Sequence, residues 1–285
     1  MQKKQVFTRP IVLGVGAQKS GTTWFARMLS TRTSIWVSPL KELHYFDKYS
    51  EIDRIRKGAD SHHYNKLRSI INNRSDFDSK DTRYLVQLLD RSKISSDEEY
   101  IQYLRRYSGS SPAVADITPA YASIQESFYQ NIISIIPNAI PVFIIRDPVD
   151  RVWSMAQHVE VHDHNSQPRT SIDSIINFSK SAYVRSLTNY PKTIRALKSI
   201  FSSPIIEFYE ELFSSEDRAT SFIQRVANSA GVQADTTSSG ILEKIYTGPG
   251  RPLPSPWRSA LREQLDGIYN DLQQIGYKIP SSWTQ

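Results

Sequence analysis

The sequence predicts an α/β fold: a parallel sheet flanked by helices on both faces, closed into a single domain spanning residues 1–285. Three observations carry that prediction. Short apolar runs bounded by glycine, proline or charge recur along the chain, as buried strands do. Stretches with apolar residues at helical spacing alternate with them. No internal repeat or linker divides the 285 residues, a length that fills one α/β core.

The elements follow in order. Ile11 to Gly16 is an apolar run ending in glycine, a buried strand that leads into a loop. Thr22 to Ser30 carries Trp24, Phe25, Met28 and Leu29 at helical spacing, so the glycine loop lies between a strand and a helix start. Ser34 to Val37 is a second short strand, stopped by Ser38-Pro39. Residues 51–111 are polar, with one amphipathic helix marked by Tyr100, Ile101, Leu104 and Tyr107. Ala113 to Ile117 is a small strand, Ile132 to Ile136 ends a helix, and Pro141 to Arg146 is the strongest buried strand. Asp147-Pro148 reads as an N-cap followed by proline at the first helical position. The helix behind it turns Val149, Val152, Trp153 and Ala156 inward. Pro204 to Tyr209 is a further strand. Trp257 to Tyr277 is a C-terminal helix with Leu261, Leu265, Ile268, Tyr269 and Leu272 on one face.

Bulk properties narrow the function. The net charge of +6 favours an anionic ligand, but no basic run of five or more residues occurs, so no nucleic-acid partner is expected. Without cysteine there are no disulfides, no thiolate catalysis and no cysteine-based zinc site. The N-terminal MQKKQVFTRP lacks the apolar segment of a signal peptide, and no apolar run approaches the ~20 residues of a membrane span. The expectation is a cytoplasmic protein with no transmembrane segment.

Two stretches carry chemistry. GVGAQKSGTTW, from Gly14 to Trp24, is close to a Walker A loop, but its lysine stands three positions early and Thr22 stands where that lysine belongs. A glycine loop between strand and helix aims backbone N–H groups at one point, where the helix N-terminus adds partial positive charge. Lys19, Ser20, Gly21, Thr22 and Thr23 thus form an anion cradle. RDPVDRVWS, from Arg146 to Ser154, starts at the carboxyl end of a buried strand, the edge where open α/β sheets bind ligands. Arg146 offers a planar fork to a phosphate there, and Ser154 adds a hydroxyl two turns along the helix. Alone, Arg146 could equally be a structural partner of Asp147 or Asp150.

The two stretches together resemble the nucleotide motifs of the PAPS-dependent sulfotransferase superfamily (PAPS is 3′-phosphoadenosine 5′-phosphosulfate). The resemblance implies a P-loop-like sheet, with the first loop on the 5′-phosphosulfate and Arg146 and Ser154 on the 3′-phosphate. Further motifs follow in the family's order. Lys41-Glu42-Leu43-His44-Tyr45-Phe46-Asp47 is similar to the E-x-x-F-F segment of heparan sulfate-type (N- and 3-O-) glycan sulfotransferases, and Asp116-Ile117-Thr118-Pro119-Ala120-Tyr121 to their E-K-[TS]-P-A-Y. Gln157-His158, with His162-Asp163 beyond, matches the N-sulfotransferase branch; Ser181-Ala182-Tyr183 resembles a G-x-Y helix; Gly248-Pro249-Gly250-Arg251-Pro252 resembles the late cofactor loop. The match is to a bacterial-type soluble member. One departure stands out, since the family's lysine in E-K-[TS]-P is Ile117 here.

The resemblance implies PAPS as co-substrate, PAP as product and no metal. It places Lys19 at the leaving phosphate and Glu42 as general base, with His44 the rival base. Trp24, Tyr183, Gly250 and Arg251 become cofactor contacts, though Trp24 reads equally as core. His158 and His162 become acceptor-side residues rather than metal ligands. Residues 51–111 become an acceptor-side insertion. The acceptor is expected to be a hydroxyl of a sugar, a lipid or a small metabolite. A P-loop kinase for a small metabolite and a non-catalytic nucleotide- or anion-binding module are the alternatives.

Overall fold

A computed structural model describes residues 6–47, 79–162, 169–237, 240–243 and 250–284. Among them, Ile11–Gly16 (β1), Ile35–Val37 (β2), Ala113–Ile117 (β3), Ala139–Ile145 (β4) and Ile205–Phe208 (β5) form one sheet. Its order is β2-β3-β1-β4-β5 and every pairing is parallel. The helices are Thr22–Arg32 (α1), Ser79–Ser92 (α2), Asp97–Ser108 (α3), Glu126–Ile135 (α4), Pro148–His162 (α5), Ile172–Lys180 (α6), Ala182–Thr188 (α7), Tyr190–Ile200 (α8), Tyr209–Leu212 (α9), Glu216–Ser229 (α10) and Ser255–Gln274 (α11). One 3₁₀ turn, Pro119–Ser123, follows β3, and another, Ser281–Thr284, follows α11.

The sheet separates two cores because strand side chains alternate between faces. Leu13, Val15, Phe143 and Ile145 face a core closed by α3, α4, α5, α8 and α11. Val12, Ile117, Val142 and Ile144 face a second core closed by α1 and α10. This is the α/β architecture the alternating pattern predicts. The strands fall where the apolar runs place them, with ends shifted by one or two residues, so Arg146 stands just past the end of β4. Asp147 does cap α5: its Oδ1 accepts from the Val149 N–H at 2.7 Å. It also accepts from the Tyr269 hydroxyl at 2.8 Å, which fastens α11 to the same corner.

The sequence reading did not place α2, α6, α8, α9 or α10. The signal for α10 was present: Ser215 caps it, and Ala219, Phe222, Ile223 and Val226 recur at helical spacing on its buried side. Of the expected insertion at 51–111, residues 51–78 lie outside the described residues; α2 and α3 occupy most of the remainder.

Ile117 is buried in the second core. Its side chain fills the space a Cβ on Gly14 would need, 2.8 Å away. Ile117→Lys should therefore destabilise the fold by ~3 kcal/mol or more, since an ammonium there has no partner. A thermal melt of the variant measures it, and an unchanged melting temperature would contradict the packing described.

Candidate active site

The strand order reverses about β1, with β3 on one side and β4 on the other. The carboxyl ends of these three strands deliver the loops that a ligand of an open α/β sheet meets. Gly16 ends β1 with φ of 147°, and a Cβ there would meet the Pro119 carbonyl oxygen at 3.0 Å. Gly21 precedes α1 with φ of 79°. These two glycines allow the chain to turn tightly beneath a ligand. Between them, the buried Ser20 Oγ has no hydrogen-bond partner. Arg146 Nη1 donates to the Lys19 carbonyl at 3.0 Å, and its guanidinium lies over the Tyr209 ring at 5.0 Å. The buried Arg146 Nε also lacks a partner. The two motifs are therefore one site. Orphaned buried donors facing a glycine loop fit an anionic ligand.

Lys19, Glu42 and His44 share a further property. Among the described residues they are the non-glycine residues with positive φ, at 68°, 66° and 53°. Such backbone costs of order 1 kcal/mol per residue and persists where surrounding contacts impose it. At Glu42 and His44 the imposed contacts are visible. Arg91, at the end of α2, donates through Nε to the Leu43 carbonyl and through Nη2 to the His44 carbonyl at 2.9 Å. The His44 N–H donates to Thr118 Oγ1 at 3.4 Å and the Tyr45 N–H to the Tyr121 hydroxyl at 3.1 Å.

His44 lies between two carboxylates, Nδ1 2.6 Å from Asp47 Oδ2 and Nε2 3.2 Å from Glu42 Oε2. Burial pulls its pKa down, but Asp47 and then Glu42 outweigh burial and push it up to about 10. Both ring nitrogens donate in that state, so the imidazole is an imidazolium at neutral pH. Lys41 Nζ stands 3.6 Å from Glu42 Oε1 and donates to Thr23 Oγ1 at 2.6 Å. Burial lowers the Lys19 pKa, as do the nearby Arg146 and Lys41 cations, with Glu42 opposing them. Lys19, Lys41 and the His44 imidazolium thus surround one partly exposed carboxylate, with Arg146 beside Lys19, and an anionic ligand relieves that crowding.

The remaining candidates are more dispersed. Ser154 is half-buried on α5. The Tyr183 hydroxyl on α7 donates to Gln18 Oε1 in the first loop at 3.4 Å. Gly250, at φ of 65°, precedes Arg251. The Arg251 carbonyl accepts from Trp153 Nε1 at 2.8 Å and its N–H donates to Gln157 Oε1 at 3.0 Å, which docks this loop on α5. The Arg251 guanidinium pairs with Glu160. His158 is half-buried on α5; the side chain of His162, and His164, Gly248 and Pro249, lie outside the described residues. Trp24 is a core side chain, 4% exposed, with Phe213 at 4.8 Å and Phe222 at 6.3 Å. Its indole N–H donates to the Ile241 carbonyl at 2.5 Å. Beside the 3₁₀ turn, a cleft of about 340 Å³ is lined by Ser123, Arg185, Ser186, Asn189 and Lys192.

Sequence reasoning missed Asp47, Arg91 and Asp116 as site residues. No spacing rule applies to a His–Asp pair in a loop, and Arg91 meets its carbonyls from 47 and 48 residues away.

A parallel α/β sheet with a donor-rich anion cradle beside a carboxylate–imidazolium array defines a nucleotide-dependent group-transfer enzyme. A sequence model described as "Sulfotransferase family" matches residues 10–224, so the chain belongs to the sulfotransferase family. Solved structures share the fold at low identity. A sulfotransferase from Alicyclobacillus acidocaldarius superposes with a TM-score of 0.65 at 17% identity, covering 97% of this chain and 99% of that one. The sulfotransferase domain of the Synechococcus PCC 7002 olefin synthase gives 0.55 at 13%, covering 98% of each chain. The sulfotransferase domain from the curacin biosynthetic pathway gives 0.52 at 14%, covering 97% of this chain and 100% of that one. A search of curated proteins by sequence finds no match. No helix among the described residues is long and apolar enough to cross a membrane.

The His44 pairing has a pH signature. Its pKa is raised on folding, so its stabilising contribution is complete below the unfolded value of ~6.5 and is lost as pH rises through about 10. Thermal stability should fall across that window in the wild type and fall less in Asp47→Asn. Parallel melting curves for the two proteins would contradict the paired imidazolium.

Proposed function

We propose that the chain moves a sulfuryl group from PAPS to an acceptor hydroxyl and releases PAP. The observation that carries this reading is the bond from Arg146 to the Lys19 carbonyl, which joins the two anion-gripping motifs into one two-ended grip. PAPS supplies a sulfuryl group on a phosphate leaving group. Around it, the loop amides, Ser20, Thr22 and Thr23 hold the 5′ end, and Arg146 and Ser154 receive the 3′-phosphate, with Tyr183, Gly250 and Arg251 closing over the nucleotide. Lys19 stabilises the negative charge that builds on the leaving phosphate oxygen. The acceptor O–H proton passes to Glu42, a new O–S bond forms in line, and the old S–O bond leaves its electron pair on the phosphate.

The choice between Glu42 and His44 as base follows from protonation. An imidazolium held by Asp47 has no lone pair to accept a proton, whereas the Glu42 carboxyl group beside it is partly exposed and within reach of an acceptor. His44 therefore orients Glu42 and balances its charge. Lys41 stands beside Glu42 and takes the place of the lysine that Ile117 replaces.

The acceptor in this reading is a hydroxyl on a sugar, a glycolipid or a small polar metabolite. The heparan-type order of the later motifs and the cleft lined by Arg185 and Lys192 support a polar acceptor. In this reading His158, on α5, meets the same substrate.

In a thermal shift experiment, PAP should raise the melting temperature and ATP with magnesium should not; the reverse result would favour a metabolite kinase. Lys19→Ala should weaken both PAP binding and PAP release from PAPS across an acceptor panel. Glu42→Gln should keep PAP affinity and lose ~10²-fold or more in turnover. Wild-type turnover in Glu42→Gln would move the base elsewhere, and PAP binding with no turnover in the wild type would favour a non-catalytic module.

A further inference from the structure

Arg151 lies in the first turns of α5, five residues after Arg146 and three before Ser154. It is the largest fully buried side chain among the described residues, 0% exposed. Its Nη2 donates to the Val184 carbonyl at 3.3 Å and to Thr188 Oγ1, both on α7. Its Nε and Nη1 have no hydrogen-bond partner. No carboxylate among the described residues forms an ion pair with it. Burial lowers its pKa; Tyr190 and Tyr183 oppose that, and the Arg146 charge adds to it, which places the two guanidinium groups within electrostatic reach of each other.

A buried guanidinium without an anion costs several kcal/mol, and apolar replacements at such positions are often neutral or stabilising. Helix packing alone gives no reason to keep the charge, since two neutral acceptors on α7 do not require one. An anion arriving beside Arg146 and Ser154 does. In a low-dielectric interior a fixed charge attracts an anion through several ångströms of protein without touching it.

We propose that Arg151 is a buried countercharge for the 3′-phosphate of the nucleotide, a positioning residue that acts through its field rather than by contact. The inference rests on the PAPS reading above. Arg146 and Ser154 touch the phosphate, and Arg151 raises the positive potential beneath them. Val184 and Thr188 hold its fork in place. The same contact fixes α7, whose Tyr183 meets the first loop at Gln18.

The test compares PAP with AMP, which lacks the 3′-phosphate, by isothermal titration calorimetry on the full chain. In the wild type PAP should bind more tightly than AMP. Arg151→Met should weaken PAP about tenfold while leaving AMP within about twofold, and Arg151→Lys should restore most of the PAP preference. The melting temperature of unliganded Arg151→Met should hold or rise. Thr188→Val removes a tether bond and keeps the charge, and it should leave the PAP-to-AMP ratio unchanged. An unchanged ratio in Arg151→Met would overturn the proposal. So would equal weakening of both ligands, or a ratio lost in Thr188→Val, since either marks a structural tether. If Arg151→Met does not fold, Arg151→Lys and Thr188→Val decide by the same ratio. A wild type that binds no PAP at all would overturn the PAPS reading first, and this inference with it.

Discussion

The site hangs from one buried carboxylate. Asp116, the penultimate residue of β3, accepts hydrogen bonds from Tyr100 and Tyr121 at 2.8 Å each and from Thr118 at 2.7 Å. Burial pushes its pKa up, and the three hydroxyls draw it back down. Those hydroxyls are not idle once bonded. Thr118 accepts from the His44 backbone and Tyr121 from the Tyr45 backbone, so the loop holding Glu42 and His44 is fastened to the sheet through Asp116. A positive φ at two neighbouring non-glycine residues relaxes unless something opposes it. Here the opposition is this hydroxyl network on one side and the Arg91 fork on the other.

The second constraint is electrostatic. Lys19, Lys41 and Arg146 converge on a space whose partly exposed acid is Glu42, and Arg151 lies buried behind them. Repulsion among fixed cations destabilises the unliganded fold, and the cost is recovered when an anion arrives. This fits a site that binds a multiply charged nucleotide and then stabilises charge on a leaving oxygen. β1 and β4 set the positions of Lys19 and Arg146, and the loop after β2 sets that of Lys41.

The strands were legible in the sequence because burial of a parallel strand writes itself locally, as an apolar run with punctuation at each end. The cradle was legible for a similar reason: Gly16, Lys19, Ser20 and Gly21 fall within six consecutive residues, so the turn they make is written locally. The roles of Asp47, Arg91, Asp116 and Arg151 were not legible. Asp47, Asp116 and Arg151 stand inside motifs quoted from the sequence, but what each one holds depends on partners brought in by tertiary folding. Trp24 left two readings open. A tryptophan beside a phosphate loop can face either the ligand or the core, and only the placement of Phe213 and Phe222 across the second core resolves which.

The isoleucine at 117 follows from the same geometry. Successive residues of a strand face opposite sides of the sheet. Asp116 must face the first core to collect Tyr100 and Tyr121, so residue 117 faces the second, directly over Gly14. A side chain there meets Val12 and α1 rather than the cradle, and an apolar residue is the stable choice. In the sulfuryl-transfer reading, a cation near the transferred group comes from elsewhere than β3. Lys41 lies on the loop that Asp116 itself secures, 2.6 Å from Thr23 and 3.6 Å from Glu42. The departure at 117 and the lysine at 41 are thus two consequences of one placement. The buried acid fixes which way β3 faces, and the loop it anchors carries the charge that β3 does not supply.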